Sequence, residues 1–206
     1  GRNANASTRG LFDLQGNPQV EISGGKITMT DNRFVNNNLG YRVDDGNINI
    51  TGGILQVGTS LSPAGTNTFS VRGHTPSIQL YTDSSNIYSN AMMWNDINCY
   101  GDLTIPPGTA FSVYDQDNGD IPYTLKVSGN IDHSGNIYAE KENSKILFNG
   151  TSVQNFNSTG TYSSLTGTAG ISVLEVDNSA GVNLTGNGTA VTKSFIKTNG
   201  TFHIGN

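Results

Sequence analysis

Apolar and polar residues alternate over short stretches along much of the chain. The clearest stretches are VEISGGKITM (20–29), INITGGILQV (48–57) and LKVSGNIDH (125–133). Successive side chains of an extended strand point to opposite sides, so the apolar residues of each stretch share one face. Gly, Pro or Asn recurs at short intervals throughout, which disfavours long helices. The pattern therefore predicts an all-β protein built from short strands.

The three stretches share one motif, in which an alternating apolar segment and a Ser or Thr precede Gly-Gly or Gly-Asn. These pairs tolerate positive φ and are typical of turns. Within LKVSGNIDHSGNIYA (125–139), Gly-Asn-Ile occurs at 129–131 and again at 135–137. The three full copies of the motif begin at 20, 48 and 125, so the chain lacks the fixed period of a strict solenoid.

Such short strands need a partner surface, because a strand with a single apolar face is unstable alone. Each apolar side chain of the repeat offers roughly 1.5–3 kcal/mol on burial, and one thin layer has nothing to bury it against. Three chains wound around one axis would supply the missing surface. We therefore expect an elongated, intertwined, parallel homotrimer. The residues expected in the core at its axis are Val127, Ile131, Ile137, Ile48 and Ile50.

The pattern divides the chain into three segments. Residues 1–58 are predicted to form an N-terminal β-repeat shaft. Residues 125–206 form a second shaft segment, expected to continue beyond this fragment because the chain ends on the front half of the motif, TFHIGN. Between them, residues 59–124 contain five short strand-like stretches and an Asn118-Gly119 hairpin signal. This middle segment predicts a small antiparallel β module.

Composition narrows the classes of protein and partner. The chain has 26 Gly in 206 residues, 13% charged residues and a net charge of −5. Recurring β-branched and aromatic residues favour turn-rich β structure over disorder. The negative charge and the lack of a Lys/Arg cluster argue against nucleic acid as a partner. No apolar run is long enough to predict membrane insertion, and Cys99 has no second cysteine with which to form a disulfide.

The His and Cys residues give no catalytic motif. His74, His133 and His203 are far apart in the sequence. Cys99 together with any of them could form a nucleophile–base pair. A small buried side chain is the simpler interpretation of Cys99. We therefore predict no catalytic residue and no cofactor.

The acidic cluster at 115–120 matches a calcium-binding loop only in part. Asp115, Asp117 and Asp120 resemble the start of such a loop, but Gly119 and Lys126 occupy positions that need oxygen ligands. A hairpin turn accounts for the same residues, so no metal site is predicted.

Two carboxylate pairs are candidates for polysaccharide cleavage, which needs two carboxyl groups in one groove. Asp44 and Asp45 are adjacent and should point to opposite faces of a strand. Glu140 and Glu142 would share a face if extended, but the pattern favours a solvated charged patch that discourages pairing at a sheet edge. We predict that the chain is not an enzyme.

Sugar binding is the better prediction for an active site. Aromatic faces stack on sugar rings, while amide and carboxylate groups supply hydrogen bonds. The aromatic residues are concentrated at Trp94, Tyr81, Tyr88 and Tyr100. The alternative is that these four side chains pack the core of the middle module.

Three segments of the chain resemble a known family of proteins. LKVSGNIDHSGNIYA (125–139) is similar to repeated segments of tailed-phage tail fibres and tail spikes. TPSIQLYTDSSNIYSNAMMWND (75–96), followed by GDLTI (101–105), resembles the small β module that often precedes them. The chain departs from the family in having no long stretch of strict period and no His-x-His metal site.

The resemblance implies a parallel homotrimer in the virion tail, which is extracellular after release. Its expected partners are other copies of the chain, other tail proteins, and a host surface polysaccharide or outer-membrane receptor. The expected function is that of a structural and adhesive segment that projects or performs attachment to the host cell. Two alternatives stay open, namely a fragment of a tail-spike polysaccharide depolymerase and a bacterial surface adhesin stalk.

Overall fold

The computed structural model is a β-solenoid, in which the chain winds through successive coils and stacks them into parallel sheets. It describes residues 12–30, 40–116, 119–163, 169–186 and 192–204. Within these ranges there is no helix, and hence none long and apolar enough to cross a membrane. The prediction of an all-β fold is confirmed.

Each coil adds one strand to each of two sheets, and the strands pair in parallel in the order of the chain. The main path of sheet A contains β1 (Phe12–Leu14), β3 (Tyr41–Val43), β5 (Gly65–Thr75), β7 (Ile87–Cys99), β12 (Thr124–Val127), β15 (Lys145–Phe148), β18 (Ile171–Asp177) and β20 (Thr192–Asn199). Sheet B contains β2 (Gln19–Met29), β4 (Asn47–Val57), β6 (Ser77–Leu80), β8 (Leu103–Ile105), β13 (Ile131–His133), β16 (Gln154–Ser158), β19 (Val182–Thr185) and β21 (Phe202–Ile204).

Shorter strands complete the middle coils. A third row pairs β9 (Ala110–Ser112) with the first half of β7, and continues through β14 (Asn136–Tyr138) to β17 (Thr161–Tyr162). A small hairpin joins β10 (Tyr114–Asp115) to β11 (Ile121–Pro122). These additions give the middle coils three inward-facing sides instead of two.

The core consists of ladders of apolar side chains that run from coil to coil. The parallel register of sheet B aligns one inward residue from each of its strands. This ladder contains Ile27, Leu55, Ile78, Leu103, Ile131, Phe156, Leu184 and Ile204. Its middle members are fully buried, whereas Ile204 in the last coil is 74% exposed. Stacking the coils therefore buries side chains that a single coil would leave in water.

The repeated Gly-Asn-Ile segment builds the corners of one coil. Val127 faces inward from sheet A, Ile131 from sheet B and Ile137 from the third row. All three side chains are at most 1% exposed in the single chain. The Gly-Asn pairs lie at the turns between these strands. Two turns follow each other so closely because each strand of the coil is only three or four residues long.

The five residues expected at a trimer axis thus lie inside one chain. Ile50 is buried and Ile48 is partly buried against the same core. The prediction of a trimer axis rests on the premise that a single chain has nothing to pack them against. That premise is corrected by the structure, because the two sheets of one chain face each other and supply the missing surface.

Two further predictions are corrected by the strand pairing. Gly24-Gly25 and Gly52-Gly53 do not end strands, since β2 and β4 each continue through them, with irregular register at Ser23. Residues 59–124 do form strands, of which β6, β8 and β9 are short as expected, whereas β5 and β7 have 11 and 13 residues. They pair in parallel with their neighbours, however, and among their described residues the antiparallel contacts are the β10–β11 hairpin and a single bridge between Thr82 and Tyr88.

The predicted middle module is continuous with its flanking segments. β6 pairs with β4 on one side and β8 on the other, and β12 pairs with both β7 and β15. Antiparallel pairing was expected because the stretches are short and follow one another closely. A solenoid instead places each strand beside the equivalent strand of the next coil. Ile54 and its partner Ser77, for example, are 23 residues apart in the sequence.

Candidate functional site

A groove of mixed polar and apolar lining on the outer side of sheet B is the candidate functional site. It has a volume of about 370 Å³, and its lining comes from four successive coils. The lining residues are Lys26, Gln56, Gln79, Leu80, Tyr81, Thr82 and Pro106. Lys26 is the charged member of this lining. The groove therefore offers neutral hydrogen-bonding groups, one cation and one aromatic ring beside the apolar side chains of Leu80 and Pro106.

Two of the lining side chains hold each other in place. The Lys26 ammonium donates a hydrogen bond of 2.7 Å to Oε1 of Gln56, and Nε2 of Gln56 donates to the carbonyl oxygen of Gly58 at 2.9 Å. The neighbouring Gln79 side chain is exposed, and no described residue hydrogen-bonds to its amide. The Gln79 amide is thus available to a ligand, while the Gln56 amide is already oriented.

Tyr81 is fixed at the end of β6. Its backbone N–H donates to the Val57 carbonyl, and its hydroxyl donates to Oδ2 of Asp83 at 2.8 Å. The hydrogen bond to Asp83 is the main cause that raises the pKa of Tyr81, so its phenol stays protonated at neutral pH. The ring can then contact a ligand while its hydroxyl accepts a hydrogen bond.

Tyr88, another predicted sugar contact, lies next to Tyr81. The Ser89 N–H donates to the Tyr81 carbonyl, and Tyr88 forms the bridge with Thr82. Gly108 packs against the Tyr88 ring so closely that a Cβ atom there would lie 2.7 Å from a ring carbon. The structure therefore pairs the segments that carry Tyr81 and Tyr88, but of these two residues Tyr81 alone lines the groove.

The other two predicted sugar contacts lie elsewhere. Trp94 is in the second half of β7, where it is half-buried, and its indole N–H is buried with no hydrogen-bond partner among the described residues. Tyr100 lies at the corner after β7, with its ring stacked on His74 at 5.8 Å between centroids. Neither residue is part of the groove lining.

His74 joins two residues that the sequence analysis treated separately. Its Nε2 lies 2.8 Å from Oδ1 of Asp45, and its Nδ1 lies 2.9 Å from the Tyr100 hydroxyl. A carboxylate, an imidazole and a hydroxyl in line resemble a general-base arrangement. However, burial and the nearby Asp45 raise the pKa of Tyr100, which keeps the phenol protonated. We interpret the line as a link between the corners of three coils.

Asp44 and Asp45 do not converge on one groove. Asp44 accepts hydrogen bonds from Arg42 and Arg72, at 2.6–3.0 Å. The hydrogen bond from Arg42 is the main cause that holds the pKa of Asp44 well below its usual range. Because Asp45 binds His74 instead, the two carboxylates have different partners and do not form a catalytic pair.

The remaining carboxylate candidates are also separated. Glu140 is buried and accepts a hydrogen bond of 2.9 Å from Tyr114, whereas Glu142 is exposed. Asp117 of the acidic cluster lies outside the described residues, and Asp120 pairs with Lys141. Across the described ranges, no group of three or more His, Cys, Asp or Glu side chains is placed to hold a metal ion.

Cys99, His133 and His203 lie in different environments. The Cys99 thiol is buried and donates to the carbonyl oxygen of Pro76 at 3.3 Å, which fits the predicted role of a small buried side chain. His133 is fully buried in the core, whereas His203 is exposed in the last coil.

Sequence reasoning missed Lys26, Gln56 and Gln79. These residues are far apart in the chain and belong to no motif, so only the parallel register brings them to one surface. One signal was available, because each lies at an outward position of an alternating stretch. In comparisons with known proteins, no family model, curated protein or solved structure matches this chain.

Proposed function

We propose that this chain is a structural and adhesive segment of a phage tail fibre, which projects or attaches to the surface of the host cell. The observation that carries the proposal is the groove of polar and apolar side chains on the side of a stack of β coils. Stacked coils make a stiff support, because each strand is hydrogen-bonded to the coil before and the coil after. The similarity of residues 125–139 to tail-fibre repeats agrees with this use.

The groove chemistry favours a carbohydrate ligand on the host surface. Gln56 and Gln79 offer amide donors and acceptors, and Thr82 adds a hydroxyl. Tyr81 offers an aromatic face beside them. A sugar presents hydroxyl groups around an apolar ring face, so it needs this combination of groups.

We propose binding without cleavage. Hydrolysis of a glycosidic bond generally requires two carboxyl groups roughly 5–10 Å apart, and the described lining residues include none. The depolymerase alternative therefore lacks support at this groove. Incubation of a bound polysaccharide with the chain should release no new reducing ends; release of reducing ends would contradict this part of the proposal.

The proposal includes a parallel homotrimer within the virion. The core between the sheets is filled by one chain, so three chains would associate through their outer surfaces. Light scattering near neutral pH is the direct test, since one chain has a mass of 21.8 kDa. A mass of about three times this value is expected. A folded monomer would contradict the proposed trimer, but it would not contradict ligand binding at the groove.

A panel of immobilised bacterial capsular and O-antigen polysaccharides tests the adhesive function. We expect the chain to bind at least one polymer, and Gln79→Ala to weaken binding by about 3- to 10-fold, which corresponds to the loss of one hydrogen bond. The matched control is Asn98→Ala, which removes an amide from the outward side of sheet A. Absence of binding to every polymer would contradict the adhesive function.

The location of the chain separates a tail fibre from an adhesin stalk. An antibody raised against the chain should label the tails of purified virions. Labelling of bacterial surfaces in cultures free of virions would support the adhesin stalk instead.

A further inference from the structure

The outer side of sheet B carries an unbroken row of polar side chains. Each member of the row is the register partner of the next, through seven consecutive coils. The row consists of Thr28, Gln56, Gln79, Thr104, Asp132, Asn157 and Thr185. We refer to these seven residues as the polar row. The polar row overlaps the groove near its first end, because Gln56 and Gln79 belong to both.

The polar row faces away from the core. Its members alternate along each strand with the inward ladder that contains Leu55, Ile78 and Ile131. Thr28, Gln79 and Asp132 are exposed, and the other members are half-buried. The row is therefore a continuous surface of hydroxyl and amide groups, in which Asp132 is the charged member.

The spacing of the polar row follows from the parallel sheet. Adjacent strands lie about 4.8 Å apart, so six steps from Thr28 to Thr185 extend over roughly 29 Å. One step is comparable to the length of one sugar ring along a glycan chain. A linear polysaccharide that lies along the stacking direction would thus meet an equivalent hydrogen-bonding group at each unit.

The chemistry of the row disfavours other extended ligands. Protein interfaces are enriched in Trp, Tyr and Arg at their centres, and the row has none. Asp132 would repel the phosphates of a nucleic acid, whose binding requires Lys or Arg. Amides and hydroxyls instead both donate and accept hydrogen bonds, as sugar hydroxyls do.

Asp132 and Asn157 are already oriented for such a ligand. Nδ2 of Asn157 donates to Oδ1 of Asp132 at 3.1 Å. Each residue keeps further hydrogen-bonding capacity, because a carboxylate has two oxygens and an amide has both donors and an acceptor.

We infer that the groove is one end of an extended site, in which a linear polysaccharide of several sugar units lies along the polar row. This inference rests on the proposed adhesive function and specifies its ligand as a polymer that runs along the solenoid. The groove alone would bind a short fragment. The remaining row would add contacts for every further unit.

A length series of oligosaccharides tests this inference. The probes are purified fragments, of two to about eight sugar units, of a polysaccharide bound in the panel, and the readout is the dissociation constant from calorimetry. We expect the affinity to rise with length until the row is filled. Asn157→Ala and Thr185→Val should each weaken the longest fragment by about 3- to 10-fold, and leave the shortest fragment unaffected.

The control and the contrary results separate the two proposals. Asn98→Ala on sheet A should change no affinity in the series, and thermal unfolding checks that every variant is folded. Equal affinity for short and long fragments, or no effect of both distal variants, would overturn the extended site while the groove and the adhesive function stand. Failure of every polysaccharide to bind would overturn both.

Discussion

Ile131 lies directly beside Phe156 in the inward ladder of sheet B, and both side chains are fully buried within one chain. Leu103 occupies the adjacent position on the other side of Ile131. The burial of Ile131 therefore depends on the coils before and after its own. Stability of one coil is coupled to that of its neighbours, as expected for a solenoid.

Substitution of Ile131 should destabilise the single chain. Ile131→Ala is expected to lower the free energy of unfolding by about 2–5 kcal/mol, because it removes a buried side chain and leaves a cavity. Ile131→Asp should prevent folding, since it places an unpaired charge in the core. Denaturant unfolding followed by circular dichroism measures both effects.

The adjacent outward residue supplies the control. Asp132→Ala should change the free energy of unfolding by no more than about 0.5 kcal/mol, because Asp132 is exposed. Normal stability of Ile131→Ala would contradict the position of Ile131 in the core.

Local patterns predicted the strands but not how they pair. The alternation around Val127 and Ile131 correctly identified the inward side chains, because a strand with one buried face must alternate. Pairing depends on residues about 20–30 positions apart, such as Ile131 and Phe156. Coil lengths vary, with 28 residues between Leu103 and Ile131 and 25 between Ile131 and Phe156. This variation hid the solenoid from a search for a fixed period.

The sequence indicated what kinds of side chain the candidate site contains, but not which residues form it. Aromatic concentration selected Tyr81 and Tyr88, and the structure places Tyr81 in the groove lining just after β6 and Tyr88 near the start of β7. It also included Tyr100, whose ring is instead stacked on His74. Gln56 and Gln79 are ordinary outward residues in the sequence, and they become neighbours only through the register of β4 and β6.

Gly73 occupies a position that no other residue should tolerate. Its φ is +79°, and a Cβ atom would lie 1.8 Å from the carbonyl oxygen of Val43 in the previous coil. Gly73→Ala should therefore lower the free energy of unfolding by more than the roughly 1–2 kcal/mol of left-handed strain alone. The apparent melting temperature should fall accordingly.

Gly24→Ala is the matched control for Gly73→Ala. A Cβ atom at Gly24 meets nothing within 4 Å, and its φ is not in the left-handed region. Alanine in a strand is favoured over glycine by roughly 0.5–1 kcal/mol, so this variant should be at least as stable as the native chain. Equal melting temperatures for the two variants would contradict the tight contact at Gly73.

Labelling of the Cys99 thiol should show whether the coils around it are folded. Burial raises the pKa of the Cys99 thiol to about 11, so very little reactive thiolate is present near neutral pH. We expect no labelling by a thiol-specific disulfide reagent in the native chain and complete labelling in denaturant. Val153→Cys in a Cys99→Ala background is the positive control, because Val153 is 54% exposed. Rapid labelling of the native thiol would show that its surroundings are open to solvent.

His133 should make folding sensitive to mild acid. Its Nε2–H donates to the Thr161 carbonyl at 3.0 Å, and its Nδ1 accepts from the Ser158 hydroxyl at 3.3 Å, so the ring is held neutral. Burial lowers the pKa of His133. Below a pH of about 6.5, the unfolded chain therefore binds a proton that the folded chain does not. Stability should fall as the pH decreases, by at most about 1.4 kcal/mol per pH unit from this group.

The His133→Asn variant isolates this effect from the other titrating groups. It should be less stable than the native chain near pH 8, because the core contacts of the ring are lost, but its stability should depend less on pH between about 7.5 and 5.5. Denaturant midpoints measured across this range give both slopes. The two slopes differ only through the group that is replaced, so parallel curves would mean that His133 binds its proton equally well in the folded and unfolded chains.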